Sequence, residues 1–312
     1  MHQLSAKDWL LIKQRLTPYL FLLPALIILG LTVFWPALQA FYLSFTSYED
    51  IAQPPQWIGM NNFFKLWRDK VFWQTLTNTF IYLVGVVPIL VIAPLGLAIL
   101  VNQKLRGMTW FRAAYYTPVV ISMVVAGIAW KWLYAEKGLL NQLLQGLGIV
   151  AEGIPWLTDN NPPMKIFGIV PISLASVMAV TVWKGLGYYM VIYLAGLQSI
   201  PADVYEAAAI DGSDGIRKHW DITVPLMKPY LALVAVISAI SATKVFEEVY
   251  IMTQGGPLNR SKTIVYYLYE QAFSNLEISY ACTIGLVLFL IILGLSVLRL
   301  VINRQGGDNI TV

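Results

Sequence analysis

Six long apolar runs constrain this chain more than any other feature. Windows of about 20 residues, enough to cross a hydrocarbon core near 30 Å, fall at roughly 19–45, 77–101, 113–134, 167–194, 227–250 and 281–302. Each run is interrupted by Gly, Pro or small polar residues, which is tolerable only where neighbouring helices re-satisfy the backbone. Pro24, Pro36, Pro88 and Pro94 are expected to bend the first two helices. The expected fold is all-α and integral to a membrane, with six transmembrane helices in one domain. The first run exceeds the about 7–15 residues of a signal-peptide core and reads as an uncleaved spanning helix.

Composition agrees. The chain is 58% hydrophobic and 12% charged, with mean hydropathy +0.65, whereas soluble domains carry about 25% charged residues. The net charge of +4 is spread over several loops, so no basic cluster points to nucleic acid. Cys282 is the one cysteine, which excludes an internal disulfide and a cysteine-based metal site. His2 and His219 are the only histidines and lie far apart, against a histidine-based catalytic or metal site. No Gly-x-x-x-x-Gly-Lys-Ser/Thr stretch exists to cradle a nucleotide phosphate.

Orientation follows from the bias of Lys and Arg toward the inner face. With the N-terminus inside, eleven such residues are inside: Lys7, Lys13, Arg15, Lys104, Arg106, Arg112, Arg217, Lys218, Lys228, Arg299 and Arg304. Eight are outside: Lys65, Arg68, Lys70, Lys131, Lys137, Lys165, Arg260 and Lys262. The first outer segment, about Thr46 to Thr75, mixes aromatic residues with balanced charges. It predicts a short amphipathic helix around Met60 to Arg68. The second, Ala135 to Lys165, carries enough apolar, Gly and Pro residues to predict folded loop structure.

Between the fourth and fifth runs lies a polar island of about thirty residues. Its front half predicts a helix. Pro201 suits a first turn, Asp203 and Glu206 place carboxylates near the positive end of the dipole, and Gly212 supplies a C-terminal cap. Ala207, Ala208 and Ala209 leave that helix with little bulk, able to approach another backbone or enter a tight groove. Composition alone favours the simpler reading, a membrane loop that happens to be Ala-rich.

The spacing of Glu206-Ala207-Ala208, Gly212, Ile222, Val224 and Pro225 resembles the EAA signature of bacterial ABC-importer permeases. Val224 stands where that family usually has Leu. Leu194-Ala-Gly-Leu-Gln-Ser-Ile-Pro201 and Thr253-Gln-Gly-Gly-Pro257 are similar to the carbohydrate-uptake branch, the relatives of the maltose and glycerol-phosphate permeases. The resemblance runs from about Asn78 to the C-terminus. It implies a type I ABC-importer transmembrane domain in which Glu206, Ala207, Ala208, Asp211, Gly212, Ile222 and Pro225 couple to an ATPase. It also implies that helices two to six form the transport core while the first wraps its flank.

Candidate path residues lie in the fourth and fifth runs. Lys184 sits near mid-depth between Trp183, Gly185, Gly187 and Tyr188. At 1.5 Å of rise per residue it is roughly 24 Å below the outer boundary, against about 12 Å for Lys244. A charge at that depth faces protein or water, so Lys184 either has a structural partner or lies on the substrate path. Trp183 and Tyr188 offer a ring face with a polar tip, and Gly187 allows close approach. Lys244, Glu247 and Glu248 are spaced to pair on one helix surface. By resemblance, Phe246-Glu247-x-x-Tyr250 leads instead into an outer gate at Gly255, Gly256 and Pro257, with Glu247 where the family more often has Asp.

The expected organisation is an inner segment 1–18, a first helix and outer loop 19–76, a transport core 77–303 with coupling loop 200–225, and a tail 304–312. The resemblance implies a bacterial inner membrane location and a transport subunit rather than an enzyme. The implied partners are a second related permease, two ATPase subunits, an extracytoplasmic solute-binding protein and a carbohydrate or glycosyl polyol. ATP and Mg would sit on the ATPase, with no cofactor on this chain. The alternative is an ion-coupled secondary transporter or a polytopic membrane enzyme. The first should carry intramembrane carboxylates, for which Glu247 and Glu248 are the candidates. The second should show a catalytic cluster near one face, which is not visible.

Overall fold

The computed structural model describes residues 6–48, 54–103, 106–158, 165–166 and 168–306. Lys104 and the tail beyond Gly306 lie outside the described residues. All six apolar runs reappear as helix. The first comprises α1 (Ala6–Leu29), a π-type turn over Gly30–Phe34 and α2 (Trp35–Leu43). Strands β1 (Thr46–Ser47) and β2 (Gln56–Trp57) lead to the surface helix α3 (Asn61–Arg68), close to its expected place. The second run is the unbroken α4 (Lys70–Val101), and the third is α5 (Met108–Val120) plus α6 (Met123–Leu133). After α7 (Leu139–Gly146), β3 (Lys165–Ile166) and β4 (Val170–Pro171), the fourth run is α8 (Ile172–Gln198). The polar island holds α9 (Ala202–Ile210), a π-type turn over His219–Thr223 and α10 (Val224–Leu226). The fifth run becomes α11 (Lys228–Thr243) and α12 (Glu247–Met252); α13 (Ile264–Tyr269) and α14 (Ile278–Gly306) complete the chain.

Three helical stretches among the described residues are continuous apolar spans: Thr17–Leu43, Lys70–Val101 and Ile172–Gln198. Two more arise only from bent pairs, α5 with α6 at 97° and His219–Leu226 with α11 at 60°. The described apolar part of α14, Ile278–Gly294, is a shorter apolar helix.

Of the three π-type turns among the described residues, Gly30–Phe34 and His219–Thr223 end two residues before a proline, and Glu270–Ser274 does not. Trp35 N–H reaches back five residues to Gly30 O ahead of Pro36, and Val224 N–H reaches His219 O ahead of Pro225. A proline offers no N–H to the preceding turn, so the ladder shifts register there.

Contacts group the chain into two compact units, Met1–Arg68 with Leu268–Val312, and Asp69–Tyr267. The expected boundaries ran differently, with the sixth helix assigned to the core. In the first unit, α3 is tied down by Asn62, whose Nδ2 donates to Ser44 O (3.0 Å) and Thr46 O (2.9 Å). Thr283 on α14 also donates to Ser44 O, at 3.1 Å. Asn62 and Leu66 face inward while Phe64 and Trp67 stay exposed, as an amphipathic interfacial helix requires.

The core of the second unit is α4 against α8, where Tyr82, Val86 and Leu90 meet Val177, Val180, Met190 and Tyr193. Tyr193 hydroxyl donates to Val91 O at 3.0 Å, supplying a partner for a carbonyl in the Pro94 region of α4. Pro88 and Pro94 are thus accommodated within one helix. The loop after α6 is folded as expected, and Asn141 organises it. Its Nδ2 donates to Ala135 O, Glu136 O and Ile154 O, while its Oδ1 accepts from Ile154 N and Trp156 Nε1, all within 3.0–3.2 Å.

Two single spans expected from the sequence are corrected. Run 113–134 turns at Ile121, which is extended (φ −68°, ψ 131°), and Ser122 caps α6 by accepting from Val125 N at 3.4 Å. Pro118 removes one helical N–H just before this elbow. Run 227–250 stops at Thr243, and just past the break the buried Thr263 hydroxyl donates to the Val245 carbonyl at 3.0 Å.

Candidate functional site

The polar island folds into a short capped helix with its far end stapled back. Pro201 is extended and immediately precedes α9, with Asp203 in the first turn. At the other end Gly212 adopts φ +81°, Gly212 N–H bonds Ala209 O (3.1 Å) and Ser213 N–H bonds Ala208 O (2.8 Å). That is the paired closure of a Schellman cap, which favours glycine at the left-handed position. The expectation drawn from Gly212 holds in its geometry.

Thr223 joins this helix to the base of α11. Its buried Oγ1 lies 3.2 Å from the Tyr205 hydroxyl and 3.1 Å from His219 Nδ1. Asp221 accepts from Ser213 Oγ (2.7 Å) and Arg217 Nε (3.1 Å), closing the intervening loop on itself. Of the coupling residues expected from sequence, Ala208 is buried and Ile222 half-buried. Glu206, Ala207, Asp211, Gly212 and Pro225 are exposed. Ile210 (87%), Ile216 (78%) and Trp220 (71%) are exposed beside them. Three large apolar side chains are thus exposed on an otherwise polar loop. Sequence reasoning passed over Tyr205, Thr223 and these three apolar residues, although Trp220 in a polar stretch was a usable signal.

A cavity of about 280 Å³ lies among α4, α5, α8, α11 and α12 in the second unit. Lys184, Tyr188, Thr181, Ser238, Ser241 and Glu248 supply its polar lining, and Val86, Leu90 and Ile237 its apolar walls. Thr181 Oγ1 lies 3.4 Å from Glu248 Oε1 and hydrogen-bonds the Tyr82 hydroxyl on α4.

The expected path residues divide. Lys184 and Tyr188 line the cavity. Lys184 Nζ donates to Pro118 O (3.3 Å), Val119 O (3.4 Å) and Ile121 O at the α5–α6 elbow, where the helix leaves its last carbonyls without partners. Its partner is therefore backbone. Trp183 points elsewhere, edge-on to Trp130 with ring centroids 5.5 Å apart. Gly187 serves packing. A Cβ there would lie 2.0 Å from Tyr115 O of α5. Lys244 caps α11 and Glu247 opens α12, both exposed. The pairing considered for Lys244 with Glu247 and Glu248 on one helix surface is corrected. The helix breaks between them, with Lys244 at the end of α11 and Glu247 opening α12.

Gly255, Gly256 and Pro257 form a tight loop with Gly255 at φ +76° and a cis Gly256–Pro257 bond. Asn78 on α4 holds it from below, donating to Asn259 O and Lys262 O at 2.9 Å each. Ser261 Oγ adds a bond to Thr253 Oγ1 at 2.7 Å.

Apolar helices long enough to cross a membrane, some continuous and some bent, occur together with a capped, exposed helix on the polar connection between α8 and α11. Residues 68–305 match the family described as binding-protein-dependent transport system inner membrane component, and the chain belongs to it. It is 35% identical to the lactose transport system permease protein LacF of Rhizobium radiobacter, over 92% of this chain and 94% of that one. It is 33% identical to the sulfoquinovosyl glycerol transport system permease protein SmoG of Agrobacterium fabrum, over 90% of this chain and 88% of that one. In fold it is similar to the crystal structure of a bacterial ABC transporter for alginate import. The TM-score is 0.81 at 21% identity, with 97% of this chain and 100% of that chain covered. The protein is a multi-pass inner membrane permease component of an ABC importer, working with a binding protein and with separate subunits that hydrolyse ATP.

Proposed function

We propose that this chain forms one side of the translocation path for a carbohydrate or glycosyl polyol and couples that path to ATP hydrolysis through residues 200–225. The observation that carries the reading is the Schellman-capped α9, with Ile210, Ile216 and Trp220 exposed around it and Thr223 stapling it to the foot of α11. A push on this helix is transmitted to α11, and α11 contributes Ile237, Ser238, Ser241 and Ala242 to the cavity wall. The carbohydrate class is supported by the names of LacF and SmoG. The α9 surface faces the cytoplasm and docks on one of two ATPase subunits, a second related permease supplies the opposite wall, and the loop at Gly255–Pro257 gates the outer mouth. ATP and Mg are bound by the ATPase and no cofactor by this chain.

The test is ATPase activity of the assembled importer in proteoliposomes with its cognate binding protein. Stimulation by a carbohydrate-loaded binding protein is expected. Uptake that runs on an ion gradient with no ATPase present would replace this reading with a secondary transporter.

A further inference from the structure

The corner where α4 ends and α5 begins lies apart from both the cavity and the coupling loop. The 32 residues of α4 rise about 48 Å, enough to cross the hydrocarbon core and both headgroup layers, about 40–45 Å together. Its last residue, Val101, therefore stands at headgroup level. Arg112, in the second turn of α5, is anchored there, with Nε and Nη2 donating to Val101 O at 3.1 and 2.7 Å. That carbonyl is one that a helix end leaves open, and the contact uses two of the five guanidinium N–H donors. Arg106 is exposed just ahead of Gly107, whose left-handed backbone turns the chain into α5. Trp110 (81%) and Phe111 (57%) are exposed on the first turn, as residues of an interfacial aromatic belt are. The same exposed surface continues along this span through Tyr116 and Val120.

Charge separates the corner from the coupling loop. Residues 102–112 hold Lys104, Arg106 and Arg112, and no Asp or Glu occurs between Asp69 and Glu136. Residues 199–227 hold Asp203, Glu206, Asp211, Asp214 and Asp221 against Arg217 and Lys218. The bias that orients a membrane chain counts cations. It does not require acids to be absent from one connection and in excess on the next. A net positive corner at headgroup level attracts anionic lipid, and the acidic loop does not.

We propose that the α4–α5 corner binds the headgroup of an anionic phospholipid of the cytoplasmic leaflet. Arg106 and the remaining donors of Arg112 take the phosphate, whose oxygens match a guanidinium fork, and Trp110 lies against the glycerol region. Through Arg112 the lipid steadies the start of α5, the helix whose backbone meets α8 at Gly187. The inference takes its cytoplasmic side from the function proposed above and is independent of the cargo.

The experiment uses the assembled permease–ATPase complex in nanodiscs. Thr109→Cys, at an exposed position, carries a bimane dye as the one cysteine of the complex. Quenching by phosphatidylglycerol bearing a doxyl group near the carbonyl end of its chain is compared with quenching by phosphatidylcholine labelled in the same way. Enrichment of phosphatidylglycerol by about threefold or more is expected, well within what cations worth roughly fivefold each can supply. It should shrink as salt is raised. Lys104→Gln with Arg106→Gln should bring the ratio below about 1.5, whereas Lys218→Gln, on the coupling loop, should leave it unchanged. Equal quenching by the two lipids in the wild type overturns the proposal without recourse to any variant. A ratio that survives the double substitution also overturns it. So does quenching by neither lipid, which would show that another subunit covers the corner. Failure of the parent reading is seen in a different assay, as loss of ATPase stimulation by carbohydrate-loaded binding protein.

Discussion

The α-carbon of Gly187 faces the Tyr115 carbonyl so closely that an added methyl would sit 2.0 Å from the oxygen. Helix α8 therefore meets the backbone of α5 at this point, where small residues permit close helix approach in a membrane. Gly187→Ala should lower the melting midpoint of the purified complex by an amount matching about 1–3 kcal/mol or more of overpacking. Fluorescence-detected size exclusion after heating measures this. A variant that melts like the wild type would show that α5 yields at this contact.

Lys184 occupies the open carbonyls of the elbow. Lys184→Ala should leave up to three carbonyls without that donor, at a cost of about 1–3 kcal/mol for each left buried and unsatisfied. Yield and melting midpoint should both fall, with partial recovery in Lys184→Arg. If Lys184→Ala assembles and melts normally but takes up no substrate, the lysine acts on cargo rather than on the elbow.

Gly212 is the one residue of the α9 cap held at positive φ, a conformation that costs an L side chain roughly 1–2 kcal/mol. Gly212→Leu has open space around it, so its effect is conformational. ATPase stimulation by loaded binding protein should drop several-fold while membrane insertion is unchanged, because the cap lies outside the apolar spans. Undiminished stimulation would remove α9 from the coupling path.

Topology is testable with single cysteines in a Cys282→Ser background. Asn62 is unsuitable as an outer reporter, being buried and bonded to Ser44 O and Thr46 O. Phe64→Cys and Leu147→Cys are exposed alternatives. An impermeant maleimide should label both in intact cells and reach Ile216→Cys only after permeabilisation. Labelling of position 216 from outside would invert the orientation assigned to the coupling loop.

The amino-acid pattern by itself determined the six apolar helical runs, the surface helix near Asn61–Arg68 and the capped helix ending at Gly212. These depend on local physics: the length of an apolar run, the alternation of faces over one or two turns, and the demand of a left-handed cap for glycine. Fold packing decided the rest. The elbow at Ile121 and the break after Thr243 are met by Lys184 and Thr263, which are distant in sequence and donate to backbone carbonyls near each break. The roles of Gly187, Trp183 and Glu248 follow from which helix lies opposite them. A single strand of apolar residues cannot specify its neighbour when the surrounding lipid is as apolar as the core, so choosing cavity wall over packing face needed the helices assembled.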